Sequence, residues 1–194
     1  QNITRYDFNR SQNRWQSHEN AELKINRRPN DTPTTNMANL LVGDHHYFMT
    51  HESHYLGRIH VKTGRVEYLE VPLQVVREHN QPDQLLWDKA IVNDTQNSRG
   101  VDVGIVDKRS KGTGWGHVSA ATPICVGDKL YVTTMLGTTY VIDIHAEDFN
   151  EAALLSINDL GEAGKTWSLT QPVYSNGRIY TRTMKEVLCL GASR

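Results

Sequence analysis

The side chains best suited to chemistry are concentrated in residues 107–119, DKRSKGTGWGHVS. Arg109 and Lys111 can hold a carboxylate or phosphate, Arg through a planar fork of donors and Lys as a compact charge. Trp115 offers a face on which a sugar or ring can stack, and His117 can relay a proton or ligate a metal near neutral pH. Gly112, Gly114 and Gly116 let the backbone approach a ligand closely. Together these residues suit an anionic or saccharide-like ligand. The same composition also suits a plain connecting loop, glycine-rich because it turns sharply, with its charges in water and Trp115 covering a strand edge. Both readings stay open at this point. The GxGxG spacing is no dinucleotide fingerprint, because no strand–helix–strand pattern surrounds it.

Histidines form a second concentration, in Asp44-His45-His46 and in residues 51–54, HESH. His45 and His46 alternate sides of an extended strand, so they cannot both face one ion. His51 and His54 remain as metal candidates beside His117, but zinc needs three or four ligands, and no metal site is expected. Cys125 and Cys189 are 64 positions apart, each within an apolar run. That setting predicts small buried hydrophobes, with a disulfide between neighbouring sheets as the alternative. No CxxC spacing supports zinc. Asp102 and Asp107 do not form a paired-carboxylate constellation, and no Ser-His-Asp arrangement can be justified.

The elements that must carry these residues are short strands. Three segments share one pattern: residues 39–50 (NLLVGDHHYFMT), 123–134 (PICVGDKLYVTT) and 172–183 (PVYSNGRIYTRT). In each, an apolar run enters a tight turn and leaves through a strand with a tyrosine: Tyr47, Tyr131 or Tyr180. The turn pairs Gly43-Asp44, Gly127-Asp128 and Asn176-Gly177 tolerate the positive φ that hairpin turns demand. Each tyrosine is expected to pack against a neighbouring sheet. Further strands are expected at 56–60 and 65–69, at 138–143 and 153–158, and at 186–190, giving up to four antiparallel strands per unit. Gly127 and Gly177 are 50 residues apart, and Gly43 and Gly127 are 84 apart, or two periods of 42. Spacings of about 40–50 residues are those of propeller blades.

On these motifs the chain resembles the pyrroloquinoline-quinone-type (quinoprotein-like) β-propeller repeat family. Residues 56–70 (LGRIHVKTGRVEYLE) are similar to its blade signature, and residues 122–146 to its commonest hairpin form. The resemblance covers residues 39–69 and 122–191. It departs at Tyr68, where the closing aromatic is usually Trp, and at Val61, where Asp is usual. It implies an all-β chain of about three or four four-stranded blades, part of a propeller of roughly eight. Residues 37–194 would form the blades, with residues 73–119 either a degenerate blade or an insertion. Residues 1–36, polar and carrying RPNDTPTTN, would be a linker or a connection from preceding blades. Three or four blades cannot close a ring, so the chain is expected to be a fragment of a longer polypeptide or to be covered by another chain.

The resemblance also bears on function. Quinone-dependent members carry vicinal cysteines, a calcium-binding acid with an Asn, and a catalytic Asp, and none of these can be matched here. The chain therefore looks like the non-enzymatic exported branch, which implies no cofactor and a periplasmic or secreted scaffold. Its partner would be another protein or the remaining blades of the same propeller. The alternative is a ligand-binding or catalytic, oxidoreductase-like propeller using Arg109, Lys111, Trp115 and His117. With 21 Lys and Arg against 22 Asp and Glu, the formal charge of −1 gives no field for nucleic acid. No apolar run approaches the roughly 18 residues of a membrane span. Gln1 does not begin a signal peptide, so an exported form would already have lost its leader.

Overall fold

A computed structural model describes residues 2–3, 6–17, 21–22, 39–50, 55–77, 79–87, 96–102, 121–162 and 165–191. Near the start, β1 (Asn2–Ile3) pairs with β4 (Ala21–Glu22), and β2 (Tyr6–Asn9) pairs with β3 (Arg14–Ser17). The β2–β3 hairpin lies within the stretch whose composition read as a polar connection. Its apolar residues are few, but Phe8 and Trp15 are cross-strand partners whose rings meet edge to face at 5.2 Å. The Asn9 side chain holds the turn by accepting from the Ser11 hydroxyl at 2.7 Å and the Gln12 N–H at 3.1 Å.

The first full sheet is an antiparallel meander of β5 (Leu40–Val42), β6 (His45–Met49), β7 (Tyr55–His60) and β8 (Val66–Glu70). A small hairpin of β9 (Gln74–Val76) and β10 (Gln84–Leu86) follows. The second sheet is a meander of the same form, β11 (Ile124–Val126), β12 (Lys129–Thr133), β13 (Thr138–Asp143) and β14 (Leu154–Asp159). A 3-10 turn, Glu151–Ala153, precedes β14 and is capped by the Asn150 side chain, which accepts from the Ala152 N–H at 2.9 Å. That cap holds residue 153 in the turn, so β14 starts and ends one residue later than the alternation suggested. The third sheet has three strands among the described residues: β15 (Val173–Ser175), β16 (Arg178–Arg182) and β17 (Val187–Leu190).

The turns have the expected chemistry. Gly43 and Gly127 take φ of +57° and +60° and are followed by residues without positive φ, as in type II′ turns. Asn176 and Gly177 are both positive, at +50° and +76°, as in type I′. These turns match the twist of the flanking strands, so each meander starts in register.

The first sheet is apolar on both faces: Phe48 and Ile59 are buried on one, with Val66 and Tyr68 beside them, and the other packs against an apolar face of the second sheet. Tyr47, Met49, Leu56 and Leu69 share a core with Leu130, Val132, Tyr140, Ile142 and Phe149. The rings of Tyr47 and Phe149 meet at 6.0 Å. The connection leaving β8 crosses the second sheet: Tyr140 Oη donates to the Pro72 carbonyl at 2.7 Å and Thr138 Oγ1 to the Leu73 carbonyl at 3.0 Å. The first strands of the second and third sheets, β11 and β15, lie beside each other. Antiparallel meanders stacked face to face, with their first strands together, are the arrangement of propeller blades. The chain is all-β and blade-built.

Candidate functional site

Arg109, Lys111, Trp115 and His117 lie outside the described residues, as do His51 and His54. The described part of the molecule brings other residues together, at three places.

The first lies between the first two sheets. Arg58 sits in the middle of β7 and is only 2% exposed. Two residues from Leu56, it shares that face, so the backbone aims its charge toward the second sheet. Within its own sheet its Nε donates to Glu67 Oε2 on β8 at 2.8 Å and its Nη2 to Glu67 Oε1 at 3.2 Å. The same guanidinium donates to the Ala146 carbonyl at 2.7 Å and the Glu147 carbonyl at 2.6 Å, and stands 5.2 Å from the centroid of Phe149. Burial by itself would raise the Glu67 pKa, but the bonds and charge of Arg58 prevail and hold the carboxyl below its ordinary range. With these bonds made inside the protein, Arg58 ties the first sheet to the connection that follows β13. An inward-facing Arg in the apolar run LGRIH, with Glu in the next strand, was the sequence signal for it.

The second place is the loop end of the second sheet. Met135, Leu136 and Gly137 make a tight turn in which Gly137 takes φ of +88°. The Ser168 N–H donates to the Met135 carbonyl, and the Met184 N–H to the Trp167 carbonyl, which ties the second sheet to the third. Asp159 ends β14 here. Its Oδ1 accepts from the Gly161 N–H at 3.2 Å, while its Oδ2 is buried with no partner among the described residues. Burial raises this carboxyl to about 6, against the opposing pull of the Gly161 N–H and Arg77. Among the described residues Trp167 Nε1, Thr134 Oγ1 and Thr181 Oγ1 are also buried without partners. These groups are spread through close packing.

The third place is the outer face of the third sheet. The register pairs Val173 with Tyr180, Tyr180 with Cys189, and Arg182 with Val187. Alternation puts all five on one face with Ser175 and Arg178, and every one is exposed. Val173 is 58%, Tyr180 38% and Val187 76% exposed. On the opposite face, Thr181 is buried and Ile179 and Leu188 are half-buried, while Tyr174 and Leu190 toward one end are exposed. Both cysteines are free thiols. Cys125 is half-buried, but Cys189 is exposed, contrary to the burial its apolar run predicted, because it belongs to this uncovered face.

Elsewhere, His45 and His46 do alternate across β6, with His45 5.1 Å from His60. Among the described residues no three His, Cys, Asp or Glu side chains gather to hold a metal ion. No helix among them is long and apolar enough to cross a membrane.

No family model matches the sequence, and no curated protein matches it. Among solved structures the chain is similar to one described as the crystal structure of BamB from Moraxella catarrhalis, with 15% identity and a TM-score of 0.32. The match covers 87% of this chain and 46% of that one, so the chain spans less than half of that neighbour's length.

Proposed function

We propose that this chain is a section of a β-propeller that works as a non-catalytic scaffold, exported from the cytoplasm, and that its partner docks on the outer face of the third sheet. The partner is another protein or the further blades of the same propeller. One observation carries this: a contiguous sheet face bearing Val173, Tyr180 and Val187 is exposed, while the equivalent face of the first sheet is closed by the second. Exposed apolar faces of this kind mark interaction sites. Tyr180 stands where Tyr47 stands in the first hairpin, and Tyr47 packs on the neighbouring sheet.

The same reading takes residues 73–119 as an insertion between consecutive blades, a choice supported by the direct packing of the first sheet on the second. Residues 1–36 then serve as the approach to the first blade. A photo-crosslinking residue at position 180, compared with one at the exposed Leu155 of β14, tests the scaffold. A discrete cross-linked species from position 180 alone is expected. A protein that stays monomeric in its native extract and cross-links at neither position overturns the proposal.

A further inference from the structure

We infer that Asn176 is a site of spontaneous deamidation, and that the iso-aspartate it forms frees β15 from the third sheet. Of the asparagines in the chain, only Asn176 is followed by glycine. Glycine matters because the attack comes from the backbone nitrogen of the next residue, which a side chain there would obstruct. Asn176 and Gly177 are the two central residues of the type I′ turn between β15 and β16, and both are exposed. A Cβ built on Gly177 would meet nothing within 4 Å. Among the described residues neither the Asn176 side-chain amide nor the Gly177 N–H takes part in a hydrogen bond. Exposure of the turn does not depend on what stands beside the third sheet. Gly43-Asp44 and Gly127-Asp128 are equally exposed, although their sheets pack on each other. Asn97, followed by the small Ser98, makes the contrast. Its Oδ1 accepts from the Arg99 N–H at 2.9 Å and the Val101 N–H at 3.1 Å, which holds the side chain in place.

The reaction needs only water and a base in solution. The Gly177 backbone nitrogen gives up its proton and bonds to Asn176 Cγ. The bond from Cγ to Nδ2 breaks, and the side-chain nitrogen leaves as ammonia. A five-membered succinimide remains, and water opens it with no change of oxidation state. Opening at the side-chain carbonyl gives aspartate. Opening at the backbone carbonyl gives iso-aspartate, in which the chain runs through the former side chain and is one methylene longer. The closed turn holds Gly177 N and Asn176 Cγ in hairpin geometry, so the attack takes place as the turn frays. The strand beside it, β15, is only three residues long, and short terminal pairings open easily. A two-residue turn tolerates aspartate at positive φ, but it has no room for the longer backbone of iso-aspartate. The pairing of Ser175 with Arg178 is then lost, and β15 keeps only Val173 with Tyr180 and Tyr174 with Ile179.

The test ages the full chain in mildly alkaline buffer and follows each asparagine by peptide mass spectrometry. Iso-aspartate is read by methyl transfer from S-adenosylmethionine with an iso-aspartyl methyltransferase. Asn176 is expected to lose its amide while Asn97 keeps its own, with iso-aspartate among the products. Amide hydrogen exchange should then show loss of protection at Val173–Ser175 in the aged chain, with the first two sheets unchanged. Asn176→Asp, measured fresh, carries the new charge on an ordinary backbone and should keep that protection. The site is overturned if Asn97 converts first, or if Asn176 keeps its amide throughout. The release of β15 is overturned if the product is aspartate alone, or if the aged chain protects β15 as well as the fresh one. Loss of protection in fresh Asn176→Asp equal to that of the aged chain also overturns it, since charge rather than backbone length would then be the cause.

Discussion

Tyr47 and Tyr180 occupy the same place in two similar hairpins, yet one is buried and the other is exposed. Around Tyr47 the opposing sheet supplies Phe149 at 6.0 Å and the carbonyls that receive Arg58. Around Tyr180 the face carries Val173, Val187, Cys189 and two arginines that pair with no carboxylate among the described residues. A hairpin sequence thus makes a sheet with one face ready for a neighbour, and whether that face is core or surface depends on what stands opposite. Removing a buried group from the first interface should therefore destabilise the protein, while the same kind of change on the third sheet should alter only binding.

The largest expected effect comes from Arg58→Met. It takes away the main partner of the Glu67 carboxylate, 13% exposed, leaving it Arg65 at 3.2 Å and the Phe149 N–H at 3.4 Å, and should cost about 3 kcal/mol in denaturant unfolding. Arg58→Met with Glu67→Met should recover most of that loss, because the desolvated charge is gone. If the single and double variants were equally unstable, the bonds of Arg58 to the Ala146 and Glu147 carbonyls, rather than its pairing with Glu67, would account for the loss. Next is Gly57→Ala. A Cβ there would run into the Phe48 ring, which is itself buried, and overpacking of this kind costs about 1–3 kcal/mol. A melting temperature within error of the original would show that the ring can move aside.

The loop end of the second sheet gives a pH-dependent contrast. The Asp159 pKa is raised by burial to about 6 in the folded chain, above its unfolded value near 3.9. Between these values the folded state holds a proton that the unfolded state has released, so stability falls as pH rises from about 4 to 6 and then levels off. Asp159→Asn should remove that slope, worth about 1 kcal/mol after allowing for partial exposure. Glu67 acts in the opposite sense: its lowered pKa contributes stability that is lost as pH falls below the ordinary glutamate range. Unfolding curves taken across pH 3–8 separate the two. The smallest effect is predicted for Tyr180→Ser and Val187→Thr, each within about 0.5 kcal/mol of the original, together with loss of cross-linking at this face. A large loss of stability would mean that the third-sheet face is internal packing.

Much of the fold was legible beforehand because hairpins are local. Gly43-Asp44, Gly127-Asp128 and Asn176-Gly177 announce their turns, and period-two alternation announces the strands that flank them. The β2–β3 hairpin was not legible, since two aromatics among Asn, Gln and Arg do not make an apolar period. Cys189 was misplaced for a different reason: its run, VLCL, is apolar on both sides, so nothing local tells which face a neighbour will cover. The clamp of Arg58 and Glu67 left a trace as an inward charge, but its carbonyl partners at positions 146 and 147 are far along the chain.

Residue order by itself determined the turns, the strand alternation and the repeating unit, since these depend on φ preferences and on neighbours a few residues away. Only the tertiary arrangement decided that the first sheet packs directly on the second across about fifty intervening residues, and that the third shows its apolar face and its arginines to solvent. Burial is a relation between surfaces distant in sequence, and a short stretch of chain specifies only one of them.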